Sequence, residues 1–347
     1  MLAAVYHGPE DLRVEEVPTP IVGPGEILIR VKSASICGTD LRILHGDHRK
    51  YPAGTVRIPG HEVVGTIAEM GEGIKGFVAG QKVFVAPNMG CGHCRQCISG
   101  NTNLCANYDA FGISLDGGFA EYMLIPGQAI RQGNVLPISE QLDSGVGALI
   151  EPFACVVRGQ NAVGIQPGDV VLIVGAGPIG IMHAKLARLR GAGRVVASEL
   201  MPERVAQAER LGADRVVNPA QEDLAGVIAE ETRGRGADVV IVAAPAHSAQ
   251  ESALQLAGIG GRINFFGGLP KDRSTIQFDS NLVHYKELHV TATSACSTAN
   301  CLQAAEILDS GRVDLAALIS HRFPLSEAVK AFSAAQERKS LKVILEP

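Results

Sequence analysis

Asp169-Val-Val-Leu-Ile-Val-Gly-Ala-Gly-Pro-Ile-Gly180 passes from a run of branched apolar residues straight into three glycines spaced G-x-G-x-x-G. The apolar run suits a strand covered on both faces, and Pro178-Ile179 opens a helix-period stretch that continues to Arg190. Strand, glycine turn and helix in this order suit a dinucleotide. Gly175 permits the tight turn, Gly177 lets backbone approach a pyrophosphate, and Gly180 lets helix pack on strand, with Pro178 and Ile179 at the helix N-terminus that faces the phosphates. Glu199 follows 24 positions after Gly175, at the end of the next apolar run, where a carboxylate accepts hydrogen bonds from the adenosine ribose hydroxyls. The same carboxylate repels a 2′-phosphate, so NAD is expected over NADP, with Arg204 nearby able to moderate the preference.

Outward from this motif the alternation continues through Arg194-Val-Val-Ala-Ser-Glu199, a helix-period stretch from Pro202 to Leu211, Asp238-Val-Val-Ile-Val-Ala243 and Gly261 to Gly268. This predicts a doubly wound parallel sheet over residues 153–292. From Val5 to about Gln128 the texture differs, with short apolar runs broken by glycines and prolines, and predicts a mostly β domain with long loops. Helix-period segments at Thr298–Ser310 and Leu325–Glu337 and a short strand at Lys342–Leu345 close the chain. The expected division is therefore 1–152 with 293–347, and 153–292 between them, an α/β protein of two domains.

The 347 residues are 46% apolar and 19% charged, with 40 glycines and 18 prolines, which excludes a disordered chain. A net charge of −5 offers no clustered cationic surface for nucleic acid or anionic lipid. No apolar run reaches the roughly 18 to 20 residues of a membrane helix, and Met1–Pro20 lacks the pattern of a secretion signal, so the expectation is a soluble, cytoplasmic protein. Eight cysteines in such a chain read as metal ligands or small core residues sooner than as disulfides.

Four of them, Cys91, Cys94, Cys97 and Cys105, fall within fifteen positions among glycines. Four thiolates close a tetrahedral shell around zinc and leave no position for substrate, so this zinc is expected to be structural; an iron–sulfur cluster and plain thiols are the alternatives. Cys155, Cys296 and Cys301 read as small core residues without chemistry. Cys37-Gly-Thr-Asp40 and Gly60-His-Glu62 place a thiolate, an imidazole and a carboxylate in loops of the β domain, and Glu151-Pro152 adds a carboxylate at the domain boundary. A catalytic zinc takes about three protein ligands and keeps one exchangeable position; Cys37, His61 and either Glu62 or Glu151 would provide them.

With these residues the sequence resembles the zinc-dependent medium-chain dehydrogenase/reductase family and, within it, the sorbitol and threonine dehydrogenase-like branch. The resemblance spans essentially the whole chain: Gly60-His-Glu-x-x-Gly65, the four-cysteine lobe, Gly117-Gly-Phe-Ala-Glu-Tyr122, Glu151-Pro-Phe-Ala154, the glycine fingerprint and His321-Arg-Phe-Pro-Leu325. It implies a GroES-like catalytic domain and a Rossmann domain with the active site in the cleft between them. It also implies two zinc ions per chain and a homotetramer or homodimer. Carried over by motif, Cys37, His61 and Glu62 hold the catalytic zinc, and Glu151 is a ligand or exchanges with water. Thr39 matches the hydroxyl that bonds the substrate oxygen and starts a proton relay. Zinc as a Lewis acid eases loss of an alcohol's proton, after which hydride passes to the nicotinamide. Several relatives pass the proton to a histidine five residues after the cysteine, but here that residue is Arg42, which stays protonated, leaving His45 or water.

The expected reaction is oxidation of a small-molecule secondary alcohol, a polyol or its phosphate, to the ketone. Arg42, His45, His48, Arg49 and Lys50 in one loop read either as a solvated run or as a phosphate subsite. Threonine oxidation and a non-catalytic NAD-binding sensor are the alternatives. A zinc-lobe nucleic-acid module would need basic clustering that the composition does not offer.

Overall fold

The computed structural model describes residues 1–337 and 339–347. They form two compact units: Met1–Ala154 with Cys296–Pro347, and Cys155–Ala295.

The second unit is a six-stranded parallel sheet in the order Arg215–Val217, Arg194–Ser198, Val170–Val174, Ala237–Val242, Ala257–Phe265, His289–Ala292. Sequence order reverses at Val170–Val174, the switch point at which such sheets place a ligand beyond the carboxyl ends of their strands. All five residues of that strand are buried because helices cover both faces. The two-residue period then sorts the side chains. Leu172, Val240 and Val242 join one core, while Val171, Ile173, Val239 and Ile241 join the other. The turn helix Pro178–Leu189 starts with proline at its first position, where no amide partner is needed. Leu224–Thr232 and His247–Leu256 are further helices of this unit.

The first unit is mostly β. Its main sheet runs Ile319–Pro324, Lys342–Glu346, Ile27–Ile36, Glu62–Met70, Lys82–Val85, Val135–Pro137, with Tyr122–Ile125 paired to Ile27–Leu28-Ile-Arg30. Its core gathers Ile29, Val31, Val63, Phe119 and Phe332, the two rings meeting edge to face at 5.7 Å between centroids. Two registers matter for the site. Ser35 pairs with Glu62, and Ile36 pairs with Val343, so the end of Ile27–Ile36 holds residues 62 and 342 on either side of it. The Cys37–Asp40 segment, expected as a loop, is instead the start of a helix: Cys37 caps Gly38–Leu44, and Arg42 lies in that helix rather than in the loop after it. The reason is the Asp40 carboxylate, which accepts from the Cys37 amide at 2.8 Å and closes a reciprocal cap that propensity alone does not reveal. Among the described residues, no helix is long and apolar enough to cross a membrane.

Candidate active site

Strand ends deliver the donors of the first unit. Cys37 follows Ile27–Ile36, His61 precedes Glu62–Met70, and Glu62 is the first residue of that strand. Ligand atoms of Cys37, His61 and Glu62 lie within 4.8 Å of one another. Asp40, fully buried, stands 3.5 Å from His61 Nδ1. A carboxylate on Nδ1 fixes the ring and leaves Nε2 for a metal, the arrangement that orients histidine in zinc sites. Burial presses His61 toward the neutral form, but Asp40 first and then Cys37 raise its pKa well above the ordinary imidazole value. A divalent cation supplies the positive charge that this cluster of two carboxylates and a thiol otherwise draws from a proton.

Behind the cluster, Lys342 Nζ donates to both oxygens of Glu62, at 2.9 and 2.6 Å, and to the Ile36 carbonyl at 3.2 Å. Both side chains are buried. Burial alone would lower the Lys342 pKa, yet Glu62, and after it Cys37, raise it. Sequence reading missed this partner, although a lysine heading the apolar strand Lys342-Val-Ile-Leu was a signal that the strand ends at a charge.

Glu151 sits in the first turn of helix Ile150–Val163. The structure does not bring it into the Cys37–His61–Glu62 cluster, but places it close enough for both His61 and Glu62 to act on its charge. Burial raises its pKa, partly opposed by His61. Its Oε1 lies 3.5 Å from Cys296 Sγ. Thr39 is half-buried, and its Oγ1 accepts from Arg42 Nη2 at 3.1 Å. His45 is paired with Glu10 at the surface. Burial, then Arg42 and Arg49, lower the His48 pKa. Lys50 reaches the Tyr108 carbonyl at 3.5 Å, so the basic run is divided among local partners.

The four-cysteine lobe is compact. Sulfur pairs stand 3.5 Å (Cys94–Cys97), 3.8 Å (Cys94–Cys105) and 3.9 Å (Cys91–Cys97) apart, and all four lie within 4.8 Å. Zinc about 2.3 Å from each sulfur sets tetrahedral edges of about 3.8 Å, so these residues fit the ion. The amides of His93 and then Cys94 hold the Cys91 thiol down at about 6, while burial pushes Cys97 up to about 12. A bound cation removes that spread by taking every sulfur as thiolate. Gln128 and Gln132 both donate to the Gly90 carbonyl, tying the lobe to helix Gly127–Arg131 and its cap.

In the second unit, Gly175 has φ +99°, and a Cβ at Gly180 would lie 2.0 Å from the Gly175 carbonyl. Only glycine permits that closeness of helix and turn. Glu199 is buried just past Arg194–Ser198, its carboxylate accepting from Ala176, Leu200 and Met201 amides at 3.0, 2.9 and 3.0 Å. These bonds hold a carboxylate beside the glycine turn. Arg204 Nη1 lies 3.6 Å from where a Gly177 Cβ would stand, which puts its cation over the turn. The residues fit a dinucleotide.

Comparison with known proteins agrees with both halves. Residues 23–138 match the alcohol dehydrogenase GroES-like domain, and residues 178–310 match the zinc-binding dehydrogenase family. The L-threonine 3-dehydrogenase of Mesorhizobium japonicum is 33% identical over 336 residues, 96% of this chain and 94% of that one. A zinc-binding dehydrogenase of Sinorhizobium meliloti, solved bound to NADP, superimposes with a TM-score of 0.91 at 32% identity, covering 100% and 99% of the two chains. The 2R,3R-butanediol dehydrogenase of Bacillus subtilis gives 0.89 at 27% identity, with 100% and 99% covered.

Two outcomes test the site. Lys342→Met strands the buried Glu62 charge and is expected to cost about 3–5 kcal/mol of stability, most of which returns in the Glu62→Gln/Lys342→Met double variant; a thermal-denaturation double-mutant cycle reads the coupling. Cys97→Ser is expected to lower bound zinc by about one ion per chain in elemental analysis and to depress the melting temperature.

Proposed function

This chain belongs to the zinc-dependent medium-chain dehydrogenases, enzymes that oxidise a CH–OH group with a nicotinamide cofactor, and from that premise we propose that its substrate is a small secondary alcohol of the polyol class, oxidised reversibly to the ketone with NAD. The observation that carries the reading is the cluster of half-buried Cys37 with buried His61 and Glu62, with Asp40 on the far nitrogen of His61. Bound here, zinc supplies Lewis acidity to the alcohol, and NAD supplies the hydride acceptor.

The chain's own groups do the rest. Cys37 and His61 are the fixed ligands. Lys342 already balances Glu62, and buried Glu151, whose charge His61 and Glu62 both feel, would be the exchanging ligand. Thr39 Oγ1 takes the substrate proton while Arg42 holds that hydroxyl in place. Arginine accepts no proton and His45 is paired with Glu10, so the proton leaves through water. The butanediol relative supports a vicinal diol as substrate. L-threonine is the second reading. The threonine dehydrogenase relatives favour it, and the fixed cation of Arg42 beside Thr39 suits a substrate carboxylate as well as a phosphate. A symmetric homo-oligomer in the cytoplasm completes the reading.

NAD reduction across polyols, their phosphates, simple diols and L-threonine, with and without chelator, discriminates among these. Cys37→Ser and His61→Ala are expected to abolish turnover while NAD still binds, as read by calorimetric titration; turnover at the native rate in either would sink the assignment. The Glu199 carboxylate predicts kcat/KM for NAD at least about tenfold above NADP, with the ratio shrinking in Glu199→Ala. Equal use of the two cofactors by the native enzyme contradicts that role.

A further inference from the structure

Cys296 is almost fully buried, at 1% exposure, as is Cys301. Its sulfur lies 3.5 Å from Glu151 Oε1 and 3.6 Å from Cys301 Sγ. The chain on both sides is pinned. Ala295 has φ +55°, a left-handed conformation that costs an L side chain free energy and persists only where its surroundings over-determine it. The Cys296 carbonyl accepts from buried Asn88 Nδ2 at 3.0 Å, and the Asn88 carbonyl accepts from Asn134 Nδ2 at 3.0 Å. Immediately after, Ser297 caps helix Thr298–Asp309 in a reciprocal box with Asn300. A strained residue, a buried amide and a helix cap thus fix the backbone on either side of one thiol. An apolar packing role needs none of them. An ionised carboxylate can only accept, so the thiol donates to Glu151, and Cys301 backs it from the first turns of the helix.

We propose that Cys296 is a positioning residue for the metal centre: its thiol holds the Glu151 carboxylate at a defined starting point from which Glu151 joins and leaves the ion. The proposal rests on the reading that Glu151 serves the metal. Outer contacts of this kind change metal affinity about 10- to 100-fold when removed.

The test uses the full-length protein with cobalt(II) in the catalytic position, as native, Cys296→Ala, Cys296→Ser and Glu151→Ala forms. Each is read by its visible cobalt spectrum, by the rate of metal release to a chelator, and by its melting temperature. Cys296→Ala is expected to shift the cobalt bands and release the ion at least about tenfold faster. Cys296→Ser, whose hydroxyl donates to the same oxygen, is expected to restore the native rate, which a packing role would not demand. If Cys296→Ala lowers only the melting temperature, with bands and release unchanged while Glu151→Ala alters both, the inference fails and the reading of Glu151 stands. If Glu151→Ala also leaves spectrum and release unchanged, Glu151 does not serve the metal and both fall.

Discussion

Lys342 and Glu62 are 280 residues apart in sequence and 2.6 Å apart in the structure. Neither charge tolerates burial alone, and their contact forms only when Lys342–Glu346 lies along one edge of Ile27–Ile36 and Glu62–Met70 along the other. A slip of one residue in either register turns the charge to the opposite face. The register that buries the ion pair is the same one that sets Cys37 and His61 at adjoining strand ends. The metal donors are therefore a by-product of sheet pairing, with the ion pair as its check. Buried ion pairs are weak sources of stability but strict conditions on arrangement, and here the arrangement is what a metal needs.

The dinucleotide turn obeys a different constraint, which is steric. Helix Pro178–Leu189 approaches the turn so closely that no side chain fits at Gly180, and the space so kept lets backbone amides meet phosphate. Glu199 serves two purposes with one carboxylate. Its bonds to three amides stiffen the turn, and its charge stands beside the glycines, where the proposed preference for NAD needs it. Arg204 stands over Gly177 on the same turn.

The parallel sheet was legible because its signals are local: buried strands read as unbroken apolar runs, and the glycine turn follows one of them directly. The cysteine lobe was legible for the same reason, since four ligands in fifteen residues need no long-range fold to meet. Lys342 and Cys296 were not. Each acts through a partner in a distant part of the chain, Glu62 and Glu151 respectively, and nothing in the flanking sequence names that partner. The helix capped by Cys37 escaped because the Cys37–Asp40 stretch reads as a loop, whereas the Asp40 carboxylate both caps the helix and faces His61. One side chain with a local duty at the cap and a longer-range one at His61 leaves a motif too short to declare both.

Two carboxylates beside one cation raise the question of which binds it, and charge decides. Glu62 comes with Lys342 attached and is electrically spent, a neutral pair whose attraction for a divalent ion is reduced. Glu151 feels the Lys342 charge only after those of His61 and Glu62, and its Oε1 also meets the Cys296 thiol, a weak dipolar donor. Glu62 is fixed by Lys342 and shapes the field at the donors, while Glu151 meets the same charges from the first turn of helix Ile150–Val163. A lysine in direct contact with one carboxylate and a thiol in contact with the other make the two unequal competitors for the same ion, and the proposed exchange draws on that asymmetry.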